Sequence, residues 1–305
     1  CGLTNSIQDI KELAHLGAGA VVLKSVFEEE ILMEYEQELK KVSPDESNLE
    51  YYDYLDYQIK EENVKKYLTL IESCKKETKI PIIASINCKT ATEWIYFAKK
   101  IEQSGADGIE LNAFILPSDM SGKAEDIEKV YFRLVENVRK EVRIPIALKI
   151  SFYFSNLASM IKRLSETGIN SLVLFNRFYS PDIDIENKRI IPSHVLSTPD
   201  DITISLRWVA MMANRVSCDL AASTGIHDGK AMIKQLLAGA SAVQVVSTLY
   251  KNGTSQITNM LNELKTWMNH HKYNSISDFK GSMAQAVSVT PALYERVQFM
   301  KYFGE

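Results

Sequence analysis

The sequence predicts a (β/α)8 barrel, and three observations lead to this fold class. Short runs of Val, Ile, Leu and Ala alternate with longer amphipathic stretches, which is typical of a parallel sheet covered by helices. The apolar runs are continuous, as expected of strands that are buried on both faces. The length of 305 residues suits one barrel with insertions. We therefore expect a single domain over residues 1–305.

The apolar runs predict seven strands. Four follow a helix-ending glycine, in the phrases GAGAVVLKS, GADGIELN, GINSLVLFN and GASAVQVVS. Two others follow Ile-Pro, and proline can open a strand although it cannot donate within a ladder. The predicted strands are 20–24, 81–86, 108–112, 145–150, 171–175, 218–223 and 242–246.

The amphipathic stretches predict eight helices between these strands. They are 5–16, 62–76, 90–103, 125–141, 156–166, 203–213, 230–237 and 255–269. A closed barrel needs one strand for each helix, and otherwise two strand edges stay unpaired. We therefore expect a first strand upstream of Cys1.

The segment 26–61 interrupts the alternation. It is rich in Glu, Asp and Tyr, as in EYYDYLDY, and it is too long for an ordinary loop between a strand and a helix. Long loops on the carboxyl side of barrel strands usually serve the site. An acidic solvated insertion or an oligomer contact is an equally good interpretation.

Composition excludes several classes of protein. The formal net charge of −4 and the charged share of 24% disfavour a nucleic acid or an anionic membrane as partner. The sequence contains no run of about 18 apolar residues, so it predicts no membrane-spanning helix. The four cysteines are widely spaced without a CxxC pair, and the five histidines lack metal-ligand spacing. We expect a cytoplasmic protein with reduced thiols and no metal site.

Polar residues end the apolar runs, where a parallel barrel gathers its functional groups. Their chemistry suits a planar anion with many hydrogen-bonding atoms, and the small residues of STGIHDG and VVSTLYKNG suit a phosphate. Taken singly, such a lysine is more often a solvated rim residue and such an asparagine a helix cap. The residues are Lys24, Ser25, Asn87, Asn112, Lys149, Asn176, Arg177, Ser223, Thr224, Gly225, Ser247 and Thr248.

These strand-end motifs, in their order and spacing, resemble class 1 dihydroorotate dehydrogenases and the similar flavin domain of dihydropyrimidine dehydrogenase. The motifs are CGLTNS, VVLKS, ASINC, GADGIELN, IPIALKI, LFN, STGI and VVSTLY. The resemblance extends from Gly2 to about Tyr250. It implies a barrel that binds FMN across its mouth and oxidises dihydroorotate to orotate, a step of pyrimidine biosynthesis.

The resemblance also implies roles for individual residues. Lys24 and Ser25 would approach the isoalloxazine ring, and Lys149 would face its N1 and O2 edge, where a cation stabilises reduced flavin. Asn112 and Asn176 would bind polar edges of the ring or the substrate. The other cofactor residues implied are Gly2 at the start of the motif series, Ser197 in the family's Leu-Ser-Gly turn, and Thr224, Gly225, Ser247 and Thr248 around the phosphate.

The sequence departs from the family in the loop after Asn112. Family members have a Leu-Ser-Cys-Pro-Asn loop whose cysteine, or a serine in other classes, removes a substrate proton. Here the chain reads NAFILPSDMSGK, so the base position falls on Leu116 or Pro117, which cannot accept a proton. Ser118 is the nearest hydroxyl and the candidate catalytic residue. We therefore expect weak or absent oxidation of dihydroorotate.

A second departure is Arg177, which stands where the family has a small Thr or Ser. A guanidinium there could bind a substrate carboxylate or a phosphate. An ion pair with Asp182 or Asp184 is an equally good interpretation.

Three functions follow from these observations. The first is an FMN-dependent dehydrogenase that acts on a CH–CH group of a small substrate. The second is a flavin-binding protein without dihydroorotate activity or with another substrate. The third is an aldolase or isomerase in which Lys24 or Lys149 forms a Schiff base. The resemblance suggests a homodimer, and because the chain lacks cluster cysteines, NAD-linked electron transfer would need a separate subunit.

Overall fold

A computed structural model of the chain alternates parallel strands with helices, which confirms the (β/α)8 class. The structure describes residues 2–27, 49–88, 91–177, 180–193 and 195–295, without the side chains of 49–60 and 91. The predicted insertion at 26–61 therefore lies largely outside the described residues. In its described part, Val26–Phe27 forms a strand and residues 49–61 belong to a helix.

The described strands agree with the seven predicted ones to within two residues at each end. The structure adds a short strand at Val26–Phe27 and a two-stranded hairpin that the sequence patterns did not indicate. The strands are β1 Val21–Val22, β2 Val26–Phe27, β3 Ile82–Asn87, β4 Gly108–Asn112, β5 Ile146–Ile150, β6 Ser171–Leu174, β7 Pro181–Asp184, β8 Arg189–Pro192, β9 Asp219–Ser223 and β10 Ala242–Gln244.

All eight predicted helices are present among the described residues, and the second begins thirteen residues earlier than predicted, at Leu49 rather than Glu62. Short 3-10 helices lie at Gly2–Thr4, Pro199–Asp201, Ile276–Asp278 and Gln285–Val287. The α-helices are α1 Ile7–His15, α2 Leu49–Glu77, α3 Ala91–Gln103, α4 Ala124–Glu141, α5 Leu157–Ser165, α6 Ile202–Met212, α7 Gly229–Ala238, α8 Ser247–Asn252, α9 Gln256–His270 and α10 Ala292–Glu295.

Local sequence explains where several helices begin and end. The Ser6 side chain accepts from the Asp9 backbone N–H at the start of α1, and Asp228 accepts from Ala231 at the start of α7. Such caps satisfy backbone donors that have no partner within the helix. The predicted helix-ending glycines all have positive φ: Gly17, Gly105, Gly168 and Gly239.

The chain divides into two compact units, of which the first comprises residues up to Ala113 together with 129–148. Here β3 pairs in parallel with β4 and with both β1 and β2. In β3, the side chains of Ile82, Ala84 and Ile86 are completely buried. The Ile109 N–H donates to the Pro145 carbonyl, at the entry to β5.

The second unit comprises residues 114–128 and 149–305. Strand β9 pairs in parallel with β6 and β10, and the Asn176 N–H donates to the Ile150 carbonyl at the end of β5. Leu172, Leu174 and Ala222 are fully buried. The antiparallel hairpin β7–β8 also belongs to this unit.

Among the helices that the structure describes, none combines the length and the apolar character needed to cross a bilayer.

Candidate functional site

The first unit carries five of the predicted site residues, and two of them lie in a bulge between β1 and β2. Val22 of β1 pairs with Ile83, and Val26 of β2 pairs with Ile86. The segment from β1 to β2 therefore has one more residue between the two pairs than β3 has. Lys24 lies in this interval, and Ser25 is its last residue. Bulges often re-aim side chains beside functional sites.

Ser25 is held by a contact with a buried serine of β3. Its Oγ lies 2.7 Å from Oγ of Ser85, which is 1% exposed. The Tyr67 hydroxyl accepts from the Ser85 N–H at 2.9 Å and donates to the Ser85 carbonyl at 3.2 Å. It therefore satisfies the backbone groups of β3 where the bulge interrupts the ladder. Burial raises the pKa of Tyr67 above its usual range, and the negative charge of Glu110 acts in the same direction.

Gly2, Asn87 and Asn112 are the other predicted residues of this unit. Gly2 opens the 3-10 helix whose last residue, Thr4, accepts from the Lys24 N–H at 3.4 Å. Asn112 ends β4 and is half-buried, two residues after the buried Glu110. Asn87, which ends β3, is also half-buried.

The loop after β4 contains the predicted base positions. Leu116 is 51% exposed, and Pro117 and Ser118 are also exposed. The nearby Asp119 accepts from the backbone N–H and the hydroxyl of Ser121, which lowers the pKa of Asp119. Ser118 as catalytic residue stays a prediction.

Lys149, at the end of β5, donates a hydrogen bond to a residue that the sequence patterns did not select. Its Nζ lies 2.9 Å from Oε1 of Gln244, the last residue of β10. Both side chains are half-buried. The bond joins two residues that are 95 positions apart in the sequence.

Asn176 and Arg177 lie together after β6. The side-chain oxygen Oδ1 of Asn176 accepts from the Arg177 backbone N–H at 2.9 Å. The Arg177 guanidinium donates to the Val195 carbonyl at 3.0 Å, whereas Asp184 pairs with Arg189 of the hairpin at 3.1 Å. Asp184 therefore has an ion-pair partner other than Arg177.

The loop after β9 has a strained backbone. Thr224 and Gly225 both have φ of 77°, in the left-handed region. This is costly for a β-branched residue, and such strain concentrates at functional sites. The Thr224 hydroxyl donates to the Phe175 carbonyl at 3.2 Å. A Cβ added at Gly225 would lie 2.0 Å from the Ile202 backbone nitrogen, so only glycine fits.

Ser197 connects this loop to the one after β10. Ser197 is 5% exposed, and its backbone N–H donates to Oγ of Ser247 at 2.9 Å. Its own Oγ lies 3.1 Å from Nε2 of His227, and its carbonyl accepts from the Lys251 ammonium at 2.8 Å.

His227 and Thr248 form the buried base of this cluster. The Thr248 hydroxyl, fully buried, donates to the His227 carbonyl at 2.8 Å, and Gln256 donates to the same oxygen at 3.0 Å. Burial lowers the pKa of His227, and the Lys251 ammonium lowers it further. We call Ser197, His227, Ser247, Thr248 and Lys251 the serine–histidine cluster.

The structure thus brings Ser197, Ser247 and Thr248 together around His227, and it places Lys149 against Gln244. That the residues of both units form one pocket stays a prediction. Sequence patterns missed Ser85, Tyr67, Gln244 and Lys251. Only Lys251 had a usable signal, since it lies four residues after Ser247 and therefore on the same face of a helix.

Comparisons with known proteins agree with the motif resemblance. The family model for dihydroorotate dehydrogenase matches residues 49–268. The catalytic subunit of dihydroorotate dehydrogenase B (NAD(+)) from Thermoplasma volcanium is 28% identical over 214 residues, covering 68% of this chain and 69% of that protein. The subunit of the same name from Petrotoga mobilis is 32% identical over 180 residues, covering 56% and 58%. That from Citrifermentans bemidjiense is 26% identical over 221 residues, covering 68% and 70%.

Proposed function

Because the chain belongs to the dihydroorotate dehydrogenase family, a family of oxidoreductases, we propose that it is an FMN-dependent dehydrogenase acting on a CH–CH group. The observation that carries the proposal is the serine–histidine cluster beside the strained Thr224–Gly225 turn. Both parts come from loops that carry the family motifs STGI and VVSTLY.

The donors of this cluster fit a phosphate group. The Ser247 oxygen accepts from Ser197, so the hydroxyl keeps its own proton to donate. Within the cluster, Lys251 adds a cation that is held by the Ser197 carbonyl. Hydroxyl, backbone and ammonium donors together suit the acceptor oxygens of a phosphate. We therefore assign Ser197, Thr224, Gly225, Ser247 and Thr248 to the phosphate end of FMN.

The remaining cofactor residues are assigned to the ring. Bound FMN supplies a ring that accepts hydride. Lys149 would stabilise the negative charge of the reduced ring, and Lys24 and Ser25 would contact the ring from the bulge. Gly2 and Asn112 are assigned to the same end of the cofactor, and Asn176 to a polar edge of the ring or the substrate.

We propose a small substrate that carries a carboxylate, bound by Asn112, Asn176 and Arg177. The Arg177 guanidinium carries five N–H donors in a rigid fork, and one of its nitrogens donates to the Val195 carbonyl. Arg177→Lys should weaken substrate binding because an ammonium cannot make the bidentate pair. Equal affinity of the two proteins for the substrate would exclude this role.

Dihydroorotate itself is expected to be a poor substrate. Leu116 and Pro117 cannot accept a proton, and Ser118 is exposed. Loss of a general base typically costs about 10²- to 10⁴-fold in rate. The second candidate function is therefore a flavin protein of this family that has another substrate or no turnover of dihydroorotate.

The cofactor is tested by loading the purified full-length chain with FMN or with riboflavin and removing unbound flavin by gel filtration. We expect FMN to remain bound, with its visible absorbance, and riboflavin to be lost because it lacks the phosphate. A protein that retains neither flavin would exclude the proposed cofactor. Equal retention of both would exclude the assigned phosphate end.

The substrate is tested by mixing the FMN-loaded protein with dihydroorotate in the absence of oxygen. We expect bleaching of the flavin absorbance to be very slow or absent, whereas dithionite bleaches it fully. Rapid bleaching by dihydroorotate would show that a base exists in a position that we did not identify.

We further propose a homodimer that passes electrons to a separate NAD-linked subunit, since the relatives are named as catalytic subunits of an NAD(+) enzyme. The reduced chain alone should then fail to reduce NAD⁺, and light scattering should give twice the mass of 34.5 kDa. Reduction of NAD⁺ by the chain alone, or a monomer mass, would contradict the respective part.

A further inference from the structure

The ammonium of Lys149 has a hydrogen-bond acceptor on strand β10. It donates to the amide oxygen of Gln244 at 2.9 Å, and both side chains are half-buried. A lysine has a long flexible stem, so a fixed acceptor decides where its charge lies. Gln244 is the last residue of β10, and its backbone pairs with Ser223 of β9.

The position of Gln244 links Lys149 to the loops of the proposed phosphate end. Ser223 is followed directly by the Thr224–Gly225 turn, and Gln244 precedes Ser247 by three residues. Because parallel strand pairing fixes the level of Gln244 beside Ser223, the acceptor of Lys149 sits on a rigid element and not on a loop.

The type of acceptor also matters. An amide oxygen accepts from an ammonium but carries no charge, whereas a glutamate at the same position would add a negative charge beside it. A preorganised cation is effective where negative charge develops during a reaction. A neutral acceptor therefore orients the lysine without adding a charge that opposes its electrostatic effect.

We propose that Gln244 is a positioning residue that holds the Lys149 ammonium toward the ring of FMN, so that the protein favours the reduced cofactor. The inference rests on the proposed FMN function. Gln244 acts through Lys149, and we assign it no contact with the reacting atoms.

The test uses Gln244→Glu and Gln244→Met in the full-length protein loaded with FMN. Its readout is the equilibrium between oxidised and reduced bound flavin, measured against a reference dye, together with the dissociation constant for FMN. Gln244→Glu should shift this equilibrium about tenfold toward oxidised flavin, which is about 30 mV for a two-electron couple. Gln244→Met removes the acceptor without adding charge and should give a smaller shift in the same direction.

Two further variants separate positioning from other effects. Lys149→Met removes the cation, and on this background Gln244→Met should cause no additional shift, because a residue that acts only through Lys149 has nothing left to position. Gln103→Glu adds the same charge to an exposed helix residue and should leave the equilibrium unchanged.

The outcomes distinguish this inference from the function on which it rests. If the wild-type chain binds no FMN, the proposed function itself fails. If FMN binds, but both Gln244 variants leave the equilibrium unchanged while Lys149→Met shifts it, the positioning role is overturned. An additional shift from Gln244→Met on the Lys149→Met background would also overturn it. If circular dichroism shows that Gln244→Glu does not fold, the test relies on the near-isosteric Gln244→Met.

Discussion

Two loops that follow buried strands differ sharply in how they are built. The loop after β9 contains Thr224 and Gly225 in left-handed conformations and continues into His227, which is 8% exposed. The loop after β4 has exposed residues from Leu116 onward, and Asp119 in this loop accepts from Ser121, only two residues away. A backbone that is strained and bonded to several elements is typical of a binding site.

This difference separates the two halves of the proposed chemistry. A cofactor phosphate needs fixed donors, and the serine–histidine cluster is the proposed source of them. Proton removal needs a base in a defined position, and the loop after β4 presents apolar and exposed residues at the positions where the family has one. The proposals that the chain holds a flavin and that it oxidises dihydroorotate poorly both rest on this difference.

The largest effect is expected for Gly225→Ala. The substitution places Cβ 2.0 Å from the Ile202 nitrogen and forces alanine to a φ of 77°. Strain and overlap should together lower the free energy of unfolding by about 3 kcal/mol or more. Denaturant unfolding measures this, with Gly19→Ala as control because its Cβ would meet no atom within 4 Å. Equal stability of the two variants would show that the loop after β9 is not constrained.

Thr248→Val should have the next largest effect. The valine keeps the shape but removes the buried hydroxyl that donates to the His227 carbonyl and accepts from Asn252. We expect a loss of about 1–3 kcal/mol in unfolding free energy, and weaker FMN binding. Thr203→Val, at an exposed helix position, should change stability by less than about 0.5 kcal/mol. If the two variants have the same unfolding free energy, the Thr248 hydroxyl does not stabilise the cluster.

A smaller effect concerns acid sensitivity. Burial and Lys251 lower the pKa of His227, while Asp228 and Asp201 oppose this. Below the pKa of an unfolded histidine, the unfolded chain therefore binds more protons, so stability falls as the pH falls from 7 to 5. In His227→Gln the melting temperature should depend less on pH over this range, whereas His15→Gln, at an exposed position, should behave as wild type. A melting temperature that depends more steeply on pH in His227→Gln than in the wild type would contradict this prediction.

The smallest effect is expected for Ser118→Ala. Because Ser118 is exposed, this variant should keep the wild-type FMN affinity and the wild-type rate of flavin reduction by dihydroorotate. Ser197→Ala is the matched comparison in the cluster and should lower FMN affinity, since its hydroxyl contacts His227 at 3.1 Å. A loss of flavin reduction in Ser118→Ala would restore this serine as the catalytic residue.

Much of the architecture was determined by the sequence alone. Continuous apolar runs and helix-ending glycines are local signals, and they located all seven predicted strands and eight helices among the described residues. The hairpin β7–β8 was missed because each of its strands has only four residues and Ile183 and Ile190 are exposed, so neither strand shows the long buried apolar run of the barrel strands. The family resemblance likewise came from short motifs, and the family model matches residues 49–268.

Which side chains meet was decided by the tertiary structure. Lys149 and Gln244 are 95 residues apart, and Ser197 and Ser247 are 50 apart, so no local pattern could pair them. Parallel strands bring such distant residues to one level, and a hydrogen bond then depends on distances of a few tenths of an ångström. Sequence periodicity reports which face of an element is buried, but only the folded chain specifies the partner that each buried polar atom finds.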